Sequence, residues 1–395
     1  MKILFIAPEI PWPLNKGTCQ RTYAMLKTLS LHHQITFSAP VEDDYQKKLL
    51  GISELIDSFV PVSVDAIQRK SIPKAGGRIR RFCNFIKSLI RSEPPFNFQM
   101  QNSLWHDQLY SEIQKHDLFF CRYSYLHSVF KNVPSSKLLI DIDDLQYLAL
   151  WRKAVSWNAG MESFLIAVES IRTRFYERKL VNLCRQAFVC SELDKTRFRS
   201  ENVTVVRNGV SLSGAAKLDV EPNPNTLLFI GAFTYAPNLE GLKWFCREVW
   251  PLVKRRNSEA VLRVAGYGMD KEQMSFAHID GVMLIGEVDD SSIAIRQAML
   301  MIVPLLYGTG TRVKIAEALG YGRPVVSTII GAEGYDDFTE TEGLFRVATN
   351  EQMAQRILEL LADSGFCLEL GNHARQTAIE RLDWIHTTKP ILSFM

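Results

Sequence analysis

Short apolar runs alternate with helix-length stretches along almost the whole chain. In the first half the runs are Lys2–Ala7, Gln34–Ala39, Ser58–Val62, Asp117–Arg122, Lys137–Ile142, Gln186–Cys190 and Val203–Val206, separated by segments such as Thr18–Leu31. In the second half they are Thr226–Ile230, Ala260–Ala265, Val282–Ile285, Leu300–Leu306, Pro324–Thr328 and Gly343–Val347. Apolar runs of this length without polar alternation are strands covered on both faces, so the pattern predicts an α/β protein with doubly wound parallel sheets. Between the halves, residues 211–225 are poor in large apolar side chains and contain two prolines and a glycine, which marks a linker. The expected division is a domain over 1–210 and a domain over 211–376.

The segment Met299–Thr328 is the most informative stretch, because it reads as a complete anion-binding βαβ unit. Its loop, Gly308-Thr309-Gly310-Thr311, has two residues that tolerate positive φ and close backbone approach, and two hydroxyls that donate hydrogen bonds or cap a helix. A helix is expected to start near Arg312. Its unpaired N–H groups, its dipole, and the side chains of Arg312 and Lys314 all favour a bound anion. Glu317 lies about 7–9 Å further along the axis at ~1.5 Å per residue, too far in to meet phosphates but placed to accept O–H bonds from a ribose diol. Lys314 and Glu317 also satisfy the description of an ordinary i,i+3 surface pair. The combination of glycines, cations and a carboxylate in one turn favours a nucleoside diphosphate site.

This constellation resembles the C-terminal half of GT-B glycosyltransferases, specifically glycosyltransferase family 4, the group 1 retaining enzymes. Three further segments agree with the resemblance: Val206-Arg-Asn-Gly-Val210 resembles the turn that ends the first domain, Leu228-Phe-Ile-Gly-Ala232 the first strand and glycine of the second, and Asn15-Lys-Gly-Thr18 the glycine loop after strand one. The opening PWPLNKGTCQRTYAMLKTLS is similar to sugar transferases of extracellular polysaccharide systems. The resemblance implies two Rossmann-like domains facing an interdomain cleft, with the C-terminal helix 377–395 crossing back to the first domain. It also implies an enzyme that transfers sugar, with retention, from a nucleoside-diphosphate sugar to a glycan or lipid-linked acceptor. No cofactor and no metal are expected, the nucleotide sugar being a substrate. A nucleotide-sugar epimerase or hydrolase, and a non-catalytic nucleotide-sugar-binding module, remain as alternatives.

Two departures from the family pattern bear on the site. Thr309 stands where the family usually has a glutamate that contacts the donor sugar. Arg122 and Tyr123 occupy the neighbourhood where many members carry a histidine, and His127, nearby, reads more readily as structural. Under the resemblance, Arg312, Lys314 and Glu317 carry the chemistry. Gly17, Asn238, Gly286, Val288, Gly308, Thr309, Gly310 and Thr311 are the expected donor contacts, with Gly286 and Val288 offering only backbone. Asn238 reads equally as a turn former and Gly17 as a helix-entry glycine. On the acceptor side, Arg21 and Arg122 are candidates to hold an anion, or are solvated. Asp143 and Asp144, in Asp141-Ile-Asp143-Asp144, are candidates for acceptor hydroxyls, or are solvated or cap a helix; two carboxylates make a weak metal site.

Composition narrows the class further. With 395 residues, 47% hydrophobic and a net charge of +3, the chain is large enough for two cores and gives no sign of a nucleic-acid partner. Seven cysteines without a CxxC or Cys/His cluster imply neither zinc nor a disulfide framework, so a cytoplasmic setting is expected. The apolar start Met1-Lys-Ile-Leu-Phe-Ile-Ala, ended by Pro8, is too short for a signal peptide or a span and reads as the first strand. Residues 69–91 hold eight Lys or Arg and no Asp or Glu. Ile79, Phe82, Ile86, Leu89 and Ile90 recur there at helical spacing, giving a basic amphipathic helix. It would either lie on an anionic membrane surface, making the protein peripheral, or pack its apolar face on its own domain.

Overall fold

The computed structural model describes the chain outside residues 42–44, 64–101, 131–132, 157–159, 213–219, 270–272 and 289. The chain forms two compact units, one of Met1–Val206 with Thr388–Met395 and one of Arg207–Thr387. The basic segment 69–91 and linker residues 213–219 lie outside the described residues.

In the first unit the strands β1 (Lys2–Ile6), β2 (Gln34–Val41), β3 (Ser58–Ser63), β4 (Leu118–Arg122), β5 (Leu138–Ile142), β6 (Gln186–Val189) and β7 (Val203–Val205) form one sheet in the order β3-β2-β1-β4-β5-β6-β7. Every neighbouring pair is parallel. In β1, Ile3, Leu4, Phe5 and Ile6 are all fully buried, as a central strand covered on both faces requires. Side chains of alternate residues feed two apolar cores, one on each face. On one of them Phe5 stacks on Phe120 with ring centroids 4.6 Å apart, and Phe120 on Phe188. The helices that bear on function are α1 (Gly17–Ser30), α2 (Gln146–Ser156) and α3 (Met161–Leu183).

The second unit repeats the plan with β8 (Thr226–Ile230), β9 (Val261–Ala265), β10 (Val282–Gly286), β11 (Leu300–Val303), β12 (Val325–Thr328) and β13 (Leu344–Val347), in the order β10-β9-β8-β11-β12-β13. All pairs are again parallel, and two cores flank the sheet. Its relevant helices are α4 (Ala236–Trp244), α5 (Ser291–Gln297), α6 (Val313–Gly320) and α7 (Ser364–Leu382). In each sheet the strand order reverses beside the first strand, between β1 and β4 and between β8 and β11. Ligands of open α/β sheets bind outside the carboxyl ends of the strands at that point. The fold is the expected pair of Rossmann-like parallel-sheet domains.

The boundaries differ from the expected ones. The division falls at Val206/Arg207, because the turn Arg207-Asn208-Gly209-Val210 belongs to the second unit: the Val210 N–H donates to the Leu382 carbonyl at 2.8 Å and Val210 bridges Asp383. The segment 377–395 is not one helix. α7 ends at Leu382, and the chain returns to the first unit only at Thr388, where the Thr388 hydroxyl meets Thr28 at 2.6 Å and Ile391 is buried in the core beside α1. Among the described residues no helix is long and apolar enough to cross a membrane.

Candidate functional site

The loop after β11 and the start of α6 build the site in the second unit. Gly308 and Gly310 have φ of +124° and +74°, which side chains rarely adopt, and they turn the loop so that Arg312 folds back over it. A Cβ on Gly308 would lie 2.8 Å from Arg312 Nη2. Arg312 stands at the N-cap position of α6 and is only 9% exposed. Its Nη1 donates to the carbonyls of Thr309 and Gly310, and its own carbonyl accepts from the Tyr335 hydroxyl at 2.8 Å. Its Nε and Nη2 are buried and have no hydrogen-bond partner among the described residues. A desolvated guanidinium with two donors left over is costly unless an acceptor arrives.

Lys314, in the first turn of α6, reaches back to the carboxyl end of β8. Its Nζ donates to the Ile230 carbonyl at 2.6 Å and to Asn238 Oδ1 at 2.9 Å, and lies 5.2 Å from the Phe229 ring centroid. Asn238 Nδ2 in turn donates to the Ala232 carbonyl at 3.0 Å, so the amide is oriented from both ends. Gly231 makes this possible, since a Cβ there would sit 2.7 Å from Asn238 Nδ2 and 2.9 Å from Lys314 Nζ. Burial, with Arg312 adding to it, pulls the Lys314 ammonium down to about 7, against the opposite pull of Glu317.

Glu317 is buried on the next turn, where its Oε1 accepts from the Ser291 hydroxyl at 3.1 Å. Ser291 opens α5 and escapes notice in the sequence, because a serine after the N-cap Asp290 looks like capping chemistry alone. Thr311 is held from behind: Asn208 Nδ2 donates to its Oγ1 at 2.9 Å and to its carbonyl at 3.2 Å. The Asn208-Gly209-Val210 turn therefore braces the loop. Thr309 is buried. Gly286, at φ +73° on the irregular end of β10, has open space where a Cβ would go, and its carbonyl accepts from Gly266 N–H at 2.8 Å. Val288 follows it, half-buried against the core.

The first unit treats its candidates differently. Gly17 is the first residue of α1, but a carboxylate already stands there: Glu9 accepts from Thr18 Oγ1 at 3.2 Å and pairs with Lys16 at 3.3 Å. Arg21 and Arg122 are fully buried rather than solvated or open to a ligand. Asp141 accepts from Arg21 Nη2 at 2.6 Å and Nε at 3.0 Å and from Arg122 Nη1 at 2.5 Å. Asp143 accepts from Arg122 Nη2 at 2.6 Å and from the Cys190 thiol at 2.8 Å. Burial works to raise the Asp143 carboxyl, and Arg122 and Arg21 override it and hold it well below the usual range. The reading of Arg21 and Arg122 as anion holders and of Asp143 as an acceptor contact is therefore corrected: four charges that close on one another cost less to bury than any one left open. Asp144 is half-buried at the same strand end. His127 meets the Tyr176 hydroxyl at 3.2 Å. Among the described residues no group of three or more His, Cys, Asp or Glu is placed to hold a metal ion.

Comparison with known proteins points to the same fold. Residues 224–363 match the family model described as glycosyl transferases group 1. An uncharacterized 44.6 kDa protein in the cps region of Klebsiella pneumoniae is 26% identical over 351 residues, 84% of each chain. The fold is similar to that of TarM, with a TM-score of 0.71 at 14% identity over 100% of this chain and 98% of the other. It is likewise similar to Anabaena HepE solved with UDP, with a TM-score of 0.67 at 12% identity over 100% and 99%.

Proposed function

We propose that this chain, a group 1 glycosyl transferase by its residues 224–363, moves a sugar from a nucleoside-diphosphate sugar to a glycan or lipid-linked acceptor with retention of configuration. The observation that carries the reading is Arg312, buried over a positive-φ glycine loop with Nε and Nη2 unspent. Those donors, with Lys314 two residues on, suit the diphosphate. Negative charge grows on that group as the sugar leaves, and cations fixed in a desolvated site stabilise it most at that moment. The charge is met by Arg312 and Lys314, and no metal is invoked. Glu317, oriented by Ser291, suits the ribose hydroxyls, and the backbone after β10 suits the base.

UDP in the HepE structure makes a uridine nucleotide the first donor to try. The cps-region relative supports a place in surface polysaccharide synthesis. None of the described cysteines is joined to another by a disulfide. The test is a transfer assay with UDP-sugars and with glycan and lipid-linked acceptors. Acceptor-dependent release of UDP, lowered by Arg312→Ala and by Lys314→Ala, is the expected result. Donor consumption that ignores the acceptor would point to an epimerase or hydrolase, and wild-type kinetics in both variants would remove the site assignment.

A further inference from the structure

α3 is built inside out. The positions it turns inward include Glu169, Ser170, Thr173 and Glu177, with Leu180 and Val181 as its buried apolar residues. Meanwhile Met161, Phe164, Ile171 and Phe175 are 68%, 62%, 50% and 69% exposed. With Val168 half-buried among them, these five are spaced 3, 4, 3 and 4 apart, which places them on one outward stripe about 21 Å long at 1.5 Å per residue. α2 packs antiparallel beside α3, the Ser170 hydroxyl donating to the Tyr147 carbonyl at 2.6 Å, and it adds exposed Trp151 and Val155. An exposed apolar stripe of this kind marks an interaction surface.

Charge says what covers it. At 100° per residue, Lys179 flanks the stripe on one side and Arg174 and Arg178 on the other, and Lys153 is exposed on α2. The acids of α3 do not offset them: Glu169 and Glu177 are buried, and Glu162 alone is exposed. A second copy of the chain would suit the 3–4 spacing but would set these cations against their own kind. An anionic bilayer takes both features, with the stripe entering the acyl boundary and the cations meeting lipid phosphates. We infer that the α2–α3 face docks on an anionic phospholipid surface. This does not depend on the reading of the second unit.

The test is flotation of the full chain with phosphatidylcholine vesicles, with and without phosphatidylglycerol. The unaltered protein floats only with the anionic vesicles, and less so in high salt. Phe164→Ser with Phe175→Ser, and separately Arg174→Glu with Lys179→Glu, each weaken binding at least about tenfold with thermal melting unchanged. The second pair keeps the test valid should the first disturb folding. Absence of binding by the unaltered protein, or full binding by both pairs, overturns the inference. So does binding that survives both pairs and is lost only on reversing Arg78, Arg81 and Lys87. A dimer that dissolves on Phe164→Ser with Phe175→Ser would give the face to a second copy instead.

Discussion

Lys314 holds Asn238 across the carboxyl ends of β8 and β11, its Nζ 2.9 Å from the amide oxygen, while the same ammonium donates to the Ile230 carbonyl at 2.6 Å. The cation is thus kept beside Arg312 by neutral acceptors, which orient it without cancelling its charge. That arrangement makes the site pH-sensitive. An unliganded ammonium at about 7 is half-charged near neutrality, and a bound diphosphate raises its pKa, so binding takes up a proton above that point.

Nucleotide affinity is therefore expected to be greatest below the free value and to fall as pH rises through it, by up to tenfold per unit. Titrations of UDP between about pH 6.5 and 8.5 check this, with Lys314→Met expected to lose that part of the slope. Stability of the unliganded protein runs the other way for this group. Its folded value, about 7, lies below the ordinary 10.5, so the unfolded chain binds more protons between them and stability rises with pH over that window.

Replacing Glu317 separates the nucleoside from the phosphates. Glu317→Ala is expected to weaken UDP binding about tenfold, the scale of one charged hydrogen bond, and to leave inorganic pyrophosphate binding unchanged. Equal loss for both ligands would place Glu317 at the phosphates.

Gly308→Ala introduces a Cβ 2.8 Å from Arg312 Nη2 at a φ of +124°. The loop has to move and carry the guanidinium with it, so turnover is expected to fall by about tenfold or more, as small misplacements of charged groups commonly cause. Steady-state rates of Gly308→Ala against wild type decide it, with thermal melting as the control for folding.

In the first unit, Asp141→Asn leaves Arg21 and Arg122 short of their shared carboxylate. Breaking a buried ion cluster on one side costs about 3–5 kcal/mol, which urea unfolding reads directly. A loss well under that would mean that Asp143 alone neutralises both arginines.

The strands and the glycine loop before α6 were legible in the sequence, and the ion cluster was not. β1 and β11 announce themselves because a strand covered on both faces is a continuous apolar word, and Gly308 and Gly310 because positive φ leaves few other residues. Arg21 and Asp141 are 120 positions apart and look like two solvated polar residues until α1 brings them to the end of β5. The end of α7 is hidden for a similar reason: Leu382 and Asp383 are tied to Val210, far away in the chain, and that tie stops the helix where its local pattern would let it run. The outward stripe on α3 has the period of a buried face, so only the three-dimensional packing shows which side it turns to solvent.

The most direct test of the donor site is the thermal stabilisation of the purified protein by UDP, GDP, ADP and TDP, each at saturation, since a ligand that binds only the folded state raises the melting temperature. The account predicts a shift selective for one nucleotide, lost in Glu317→Ala and in Arg312→Ala. No shift with any of the four would contradict it and leave the second unit without a nucleotide to bind.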